Sequence, residues 1–237
     1  MSSIQNQNFV FEDKDLKLQT PFKLLISGPS GCGKSNLTQQ IIENNYFDKE
    51  MSEVILCVPK NSLHLLSESL ARYRACCPKI QIIEGLVDPN ALHLYSTMHQ
   101  KLIIFDDMAF QLFDDPRINN LMVFSARKAN FSSIIITQNL YQASRFGLSI
   151  RRQQNYNIVF HSFGDMGTIQ ALNRQFYPHK GSNILLKSMD IIAKEFASSF
   201  KRYLLIDSHP NSKFPEYMRL RSNLFDVNKP YFLTVDD

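Results

Sequence analysis

The chain alternates short apolar runs with longer amphipathic stretches. The runs are Phe22–Ser27, Val54–Val58, Ile80–Ile83, Leu102–Phe105, Ser133–Thr137, Ile158–His161 and Tyr203–Ile206. Most are rich in Ile, Leu and Val and carry no polar residue at alternate positions. A strand covered on both faces reads this way, so the runs predict buried parallel strands. Helical spacing fills the intervals at Lys34–Asn44, Leu63–Tyr73, Asn90–His99, Arg117–Ala126, Met166–Phe176 and Ile184–Phe196. Pro59, Pro89, Pro116, Pro178 and Gly181 punctuate the boundaries. The alternation predicts an α/β fold, a mostly parallel central sheet flanked by helices. No internal repeat is evident. The plan divides into a leading arm (1–20), one α/β domain (21–206) and a tail (207–237). Pro210, Pro215 and Pro230 predict an irregular path for that tail.

Composition narrows the class. Hydrophobic residues make up 44% and charged residues 20% of 237 positions. That is ordinary for a globular protein and excludes a wholly disordered or collagen-like chain. No apolar run reaches the roughly 18 residues of a membrane span. The opening MSSIQNQNFV lacks the basic-then-apolar pattern of a signal peptide. An intracellular protein without a membrane-spanning segment is expected. Cys32, Cys57, Cys76 and Cys77 then read as reduced thiols. His64, His93 and His99 lie near the last two, but no metal-ligand spacing joins them.

The net charge of +4 is modest but unevenly spread. Between Arg117 and Lys187 nine basic residues meet a single acid, Asp165. Such a stretch suits a polyanion partner, nucleotide phosphate or nucleic acid; a solvated face balanced by acids elsewhere explains it equally.

The most specific motif is Gly28-Pro29-Ser30-Gly31-Cys32-Gly33-Lys34-Ser35, which fits G-x-x-x-x-G-K-[ST]. It stands between a predicted strand and a predicted helix, as that motif requires. Glycines let the backbone curl so that its N–H groups converge on phosphate oxygens, and the helix N-terminus adds a favourable dipole. Lys34 is placed to reach β- and γ-phosphates and Ser35 to ligate Mg²⁺. The four fixed positions arise by chance in roughly one chain in a hundred of this length. ATP and Mg²⁺ are therefore the expected cofactors.

Leu102-Ile-Ile-Phe105 is followed by Asp106 and Asp107, two carboxylates at a strand's C-terminal end. Ligands gather at that end of an open α/β sheet. Asp106 is assigned to Mg²⁺ and Asp107 to orienting or deprotonating the attacking water. Asp114 and Asp115 form a second pair, read as an exposed turn before Pro116. The run Ser133–Thr137 ends in Gln138, whose amide either senses the γ-phosphate or is simply an exposed strand end. Arg127 and Lys128 precede this strand; Arg145, Arg151 and Arg152 follow it. An arginine from a neighbouring subunit can stabilise transition-state charge. The same residues also suit solvent or DNA phosphate.

These motifs resemble those of the FtsK/HerA superfamily of P-loop ATPases. They are most similar to the genome-packaging ATPases of large DNA viruses and of Polinton (Maverick) elements. The matching text is FKLLISGPSGCGKS at 22–35, LIIFDD at 102–107, SARKANFSSIIITQNLY at 125–141 and SIRRQQNYNIVF at 149–160. The last two carry most of the discrimination. The resemblance spans about residues 20–177. It implies an additional-strand sheet, with the Gln138 strand between the P-loop and Asp106 strands. It also implies a homo-oligomeric ring, pentamer or hexamer, that drives double-stranded DNA into a capsid and meets capsid or portal-vertex proteins. Work in the host nucleus or at a viral assembly site, or association with the virion, follows from it. Gln138 matches the family's polar sensor. Arg127 matches the basic position before the sensor strand and is the first choice for an inter-subunit finger; Arg151 or Arg152 is the second. The family often has Arg-His there, whereas this chain has Arg127-Lys128-Ala129. Two other functions fit the P-loop alone: a nucleoside or nucleotide kinase, and a scaffold with little turnover.

Overall fold

A computed structural model describes residues 16–88, 100–125, 130–141, 144–162, 164–178, 183–196, 202–215, 218–225 and 231–233. Its strands are β1 (Lys23–Ser27), β2 (Glu53–Val58), β3 (Gln81–Glu84), β4 (Lys101–Asp106), β5 (Phe131–Thr137), β6 (Tyr156–Phe160), β7 (Tyr203–Asp207), β8 (Leu220–Ser222) and β9 (Tyr231–Leu233). They form one sheet in the order β3-β2-β4-β5-β1-β6-β7-β8-β9. Neighbours from β3 to β6 pair in parallel. β5, which leads to Gln138, lies between β1 and β4, as the resemblance implies.

The helices are α1 (Lys34–Glu43), α2 (Ser67–Cys76), α3 (Ala109–Asp114), α4 (Pro116–Asn120), α5 (Gly147–Arg152), α6 (Met166–Phe176) and α7 (Ile184–Glu195). A π-helical turn at Leu121–Ser125 continues α4. The two sheet faces bury separate sets of side chains. Leu24, Ile26, Leu102, Ile104, Ile134 and Ile136 pack with Leu37 and Ile41 of α1 and Leu70 and Tyr73 of α2. Leu25, Ile103, Phe105 and Ile135 pack on the other face with Ile150 of α5, Leu172 of α6 and Ile192 of α7. β1, β4 and β5 thus alternate between two cores, which is why their apolar runs are unbroken.

Three expectations need correction. β7 was expected to be parallel, but it pairs antiparallel with β6, Ile158 opposite Leu205. Two helices, α6 and α7, intervene and pack on one another, so the chain re-enters the sheet from the opposite end. Burial on both faces does not encode direction. The tail was expected to be irregular, yet β8 and β9 extend the sheet antiparallel. Each has three residues, too few to leave a periodic signal. The segment Leu63–Leu66 turns before α2 begins at Ser67. The predicted helix Asn90–His99 lies outside the described residues.

Charge fixes the tail in place. Arg221 of β8 is fully buried, donates to the Leu16 carbonyl at 2.9 Å and lies 3.4 Å from the Asp207 carboxylate. Its guanidinium also covers the Phe214 ring at 4.6 Å. The end of the leading arm joins the same core, where Leu18 bridges to Phe47.

Candidate functional site

The parallel register brings three strand ends to one level. Ser27 of β1 pairs with Thr137 of β5, and Asp106 of β4 pairs with Ile136. Because side chains alternate, Asp106 falls on the face of Leu102 and Ile104, beneath α1. The Ser35 hydroxyl in the first turn of α1 donates to Asp106 Oδ2 at 3.4 Å. Two residues 71 positions apart thus meet.

The loop 28–35 joins β1 to α1. A Cβ on Gly28 would lie 2.6 Å from Phe160 Cβ and 2.9 Å from Cys32 Sγ, so only glycine permits the loop to leave β1 beside β6. Gly33 caps α1 with φ at 105°, in the left-handed region open to glycine. Its carbonyl accepts the Leu37 amide at 2.8 Å. The preceding first-turn amides of Lys34, Ser35 and Asn36 have no helical carbonyl to bond and can receive an anion. The buried Lys34 donates from Nζ to the Gly28 and Pro29 carbonyls, both at 2.8 Å. Those carbonyls hold the ammonium at the mouth of the loop. Ser30 and Gly31 are exposed at its tip. Burial raises the Cys32 thiol pKa, against the opposing pull of Lys34, so the thiol stays protonated.

The paired carboxylates differ sharply. Asp106 is largely enclosed. Burial, then the Asp107 charge, raise its pKa to about 6, against the lowering effects of the Ser35 hydrogen bond and Lys34. Asp107 is exposed and takes a φ of 55°, a left-handed conformation that aspartate tolerates better than most residues. This twist lets its amide donate to Ile136 O at 3.2 Å while its carboxylate turns toward β5. There Gln138 Nε2 donates to Asp107 Oδ2 at 3.2 Å and to Oδ1 at 3.4 Å. A small cleft beside Gln138 is lined by Gly28, Pro29, Ser162, Asp165 and Thr168. A separate cavity of about 770 Å³ at the other end of β1 and β5 contains none of these site residues.

The arginines separate into different environments. Arg127 lies outside the described residues. Arg151 folds inward, donating from Nη1 to Leu140 O at 3.2 Å and covering the Tyr141 ring at 5.2 Å. It clamps the segment that follows Gln138. Arg152, its neighbour on α5, is exposed. Asp115 is no loose turn: it caps α4, accepting from the Arg117 amide at 2.8 Å. Tyr73, a fully buried tyrosine of α2 whose hydroxyl lies beside Ser35 and Thr38, belongs to no sequence motif. A single aromatic in an amphipathic helix is indistinguishable from core.

No family model matches the chain, and no curated protein matches it. Solved structures do. The DNA-packaging ATPase B204 from Sulfolobus turreted icosahedral virus is similar at 16% identity and a TM-score of 0.52, over 82% of this chain and 95% of that one. The genome packaging NTPase B204 from Sulfolobus turreted icosahedral virus 2, in complex with ATP-gammaS, is similar at 15% identity and a TM-score of 0.48, over 85% and 95%. The chain has the P-loop NTPase fold, a mostly parallel sheet with an additional strand between its P-loop and acidic strands.

Proposed function

We propose that this chain is the ATP-hydrolysing subunit of a ring motor that translocates double-stranded DNA into a viral capsid. One observation carries the catalytic part of this reading. Ser35 meets Asp106, and Gln138 meets Asp107, across strand ends that the sequence holds far apart. The likeness to a viral packaging ATPase supports the rest.

In this reading the loop amides and Lys34 bind the β- and γ-phosphates of ATP, Lys34 leaving the Gly28 and Pro29 carbonyls for phosphate oxygens. Ser35 and Asp106 are the oxygen donors suited to Mg²⁺, which neutralises phosphate charge when bound. Asp107 accepts a proton from the water that attacks the γ-phosphate, and Gln138 holds both the carboxylate and that water. Gln138 also senses the γ-phosphate. An arginine of the adjacent subunit, Arg127 or Arg152, stabilises the charge that develops in transfer. Arg151 is the weaker choice, because its guanidinium already holds Leu140 and Tyr141. Basic residues between Arg117 and Lys187 grip the DNA backbone with little sequence preference.

The test is Mg²⁺-dependent ATP hydrolysis with and without long duplex DNA, using wild type, Lys34→Ala, Arg127→Ala and Arg152→Ala. DNA-stimulated turnover, with activity regained on mixing the Lys34 variant with an arginine variant, is expected. Phosphate released only onto a nucleoside would favour a kinase. Nucleotide binding without turnover in any assembly would favour a scaffold.

A further inference from the structure

Tyr73 is 0% exposed, and among the described residues its hydroxyl makes no hydrogen bond. A buried polar atom without a partner is rare in a folded protein and calls for a reason. Its surroundings supply one. α2 packs on α1 across the face that carries Asp106. The phenol lies beside the Thr38 and Ser35 hydroxyls and within the field of the Asp106 carboxylate. Thr38 already spends its proton on the Lys34 carbonyl at 3.1 Å. Ser35 spends its own on Asp106 across a long 3.4 Å contact. Tyr73 therefore brings an unused proton to a cluster of oxygens.

We propose that Tyr73 is a positioning residue of the divalent-cation site. Its hydroxyl donates to the Asp106–Ser35 pair once a cation engages those two side chains, and it holds the carboxylate in the orientation that binds. The inference rests on the nucleotide-site reading above and adds a residue to it. Tyrosine suits this post better than a charged donor. The phenol is an uncharged donor, enclosed beside the carboxylate. A lysine here would compete with the cation; a phenylalanine would fill the space without the proton.

Direct cation binding tests this without relying on turnover. Mn²⁺, replacing Mg²⁺, is titrated into full-length protein saturated with ATP-gammaS, and free Mn²⁺ is followed by its EPR signal. Nucleotide affinity in EDTA and thermal stability are measured alongside. Tyr73→Phe is expected to weaken Mn²⁺ binding by about tenfold, as loss of an outer partner does elsewhere. Nucleotide affinity in EDTA and the cation-free melting temperature should stay at wild-type values. Mn²⁺ affinity within twofold of wild type would overturn the assignment. So would a parallel loss of nucleotide affinity in EDTA or of melting temperature, which would mark Tyr73 as packing alone. Ser35→Ala and the double variant give a second reading: additive losses would mean that Tyr73 does not act on the pair. Absence of cation-dependent nucleotide binding in wild type would instead overturn the nucleotide-site reading itself.

Discussion

Gln138 donates its side-chain amide to both carboxylate oxygens of Asp107, at 3.2 and 3.4 Å. The two residues end adjacent strands and are 31 positions apart. Asp107 adopts a left-handed backbone at this strand end. If Asp107 is the base, Asp107→Asn should lower kcat by about 10²–10⁴-fold with little change in nucleotide affinity. Gln138→Ala should cost less, because the carboxylate survives. Steady-state turnover set beside fluorescent-nucleotide binding separates the two effects. Equal loss of affinity and turnover would move both residues from chemistry to binding.

Asp106 gives a pH dependence of defined sign. Its pKa rises from 3.8 to about 6 on folding, through burial and the Asp107 charge. The folded chain therefore favours the protonated form. That stabilising contribution is full below pH 3.8 and is lost as pH rises through about 6. Without divalent cations, Asp106→Asn should gain stability over wild type between pH 5 and 7, by on the order of 1–3 kcal/mol. Denaturant titrations at several pH values check this. Cation binding needs the ionised form, so affinity for Mg²⁺ should fall below about pH 6 in wild type.

Arg151 and Arg152 should part company on mutation. Arg151 holds the Leu140 carbonyl and the Tyr141 ring, and burial lowers its pKa. Arg151→Ala should cost about 1–2 kcal/mol of stability through those contacts. Arg152 is exposed, and Arg152→Ala should leave the melting temperature unchanged. Thermal unfolding distinguishes them before any activity is measured. Equal stability of the two variants would remove the clamp.

The buried pair Arg221–Asp207 predicts a large penalty. Asp207 also accepts from the Ser212 hydroxyl at 2.8 Å and the His209 amide at 3.0 Å. Arg221→Ala would leave this carboxylate buried with its cation gone, costing about 3–5 kcal/mol. Arg221→Met, which keeps the packing on Phe214, should recover part of the loss. Equilibrium unfolding in urea reads both.

Much of the α/β plan was legible in the sequence. The apolar runs located seven strands; those between two helical layers are apolar on both faces, whereas β3, at the sheet edge, was expected to be buried and is half-exposed. Met166–Phe176 was legible as a helix to the residue; the structure adds Asp165 as its cap. The P-loop declared itself because its glycines answer to local geometry. Direction and order were another matter. Whether β7 runs parallel depends on how α6 and α7 return the chain, and the composition of β7 does not record it. β8 and β9 are held by pairing with earlier strands and by Arg221, so their identity resides in partners.

The site divides along the same line. The residue types at Lys34, Ser35, Asp106, Asp107 and Gln138 were set by local sequence: a loop, a strand end and a second strand end. That Ser35 reaches Asp106, that Gln138 reaches Asp107, that Arg151 turns inward and that Tyr73 lies against the oxygen cluster were decided only by the tertiary structure. The reason is physical. A motif constrains the dihedrals of contiguous residues, whereas a contact across 31 or 71 positions depends on strand register and helix packing, which the whole core sets together.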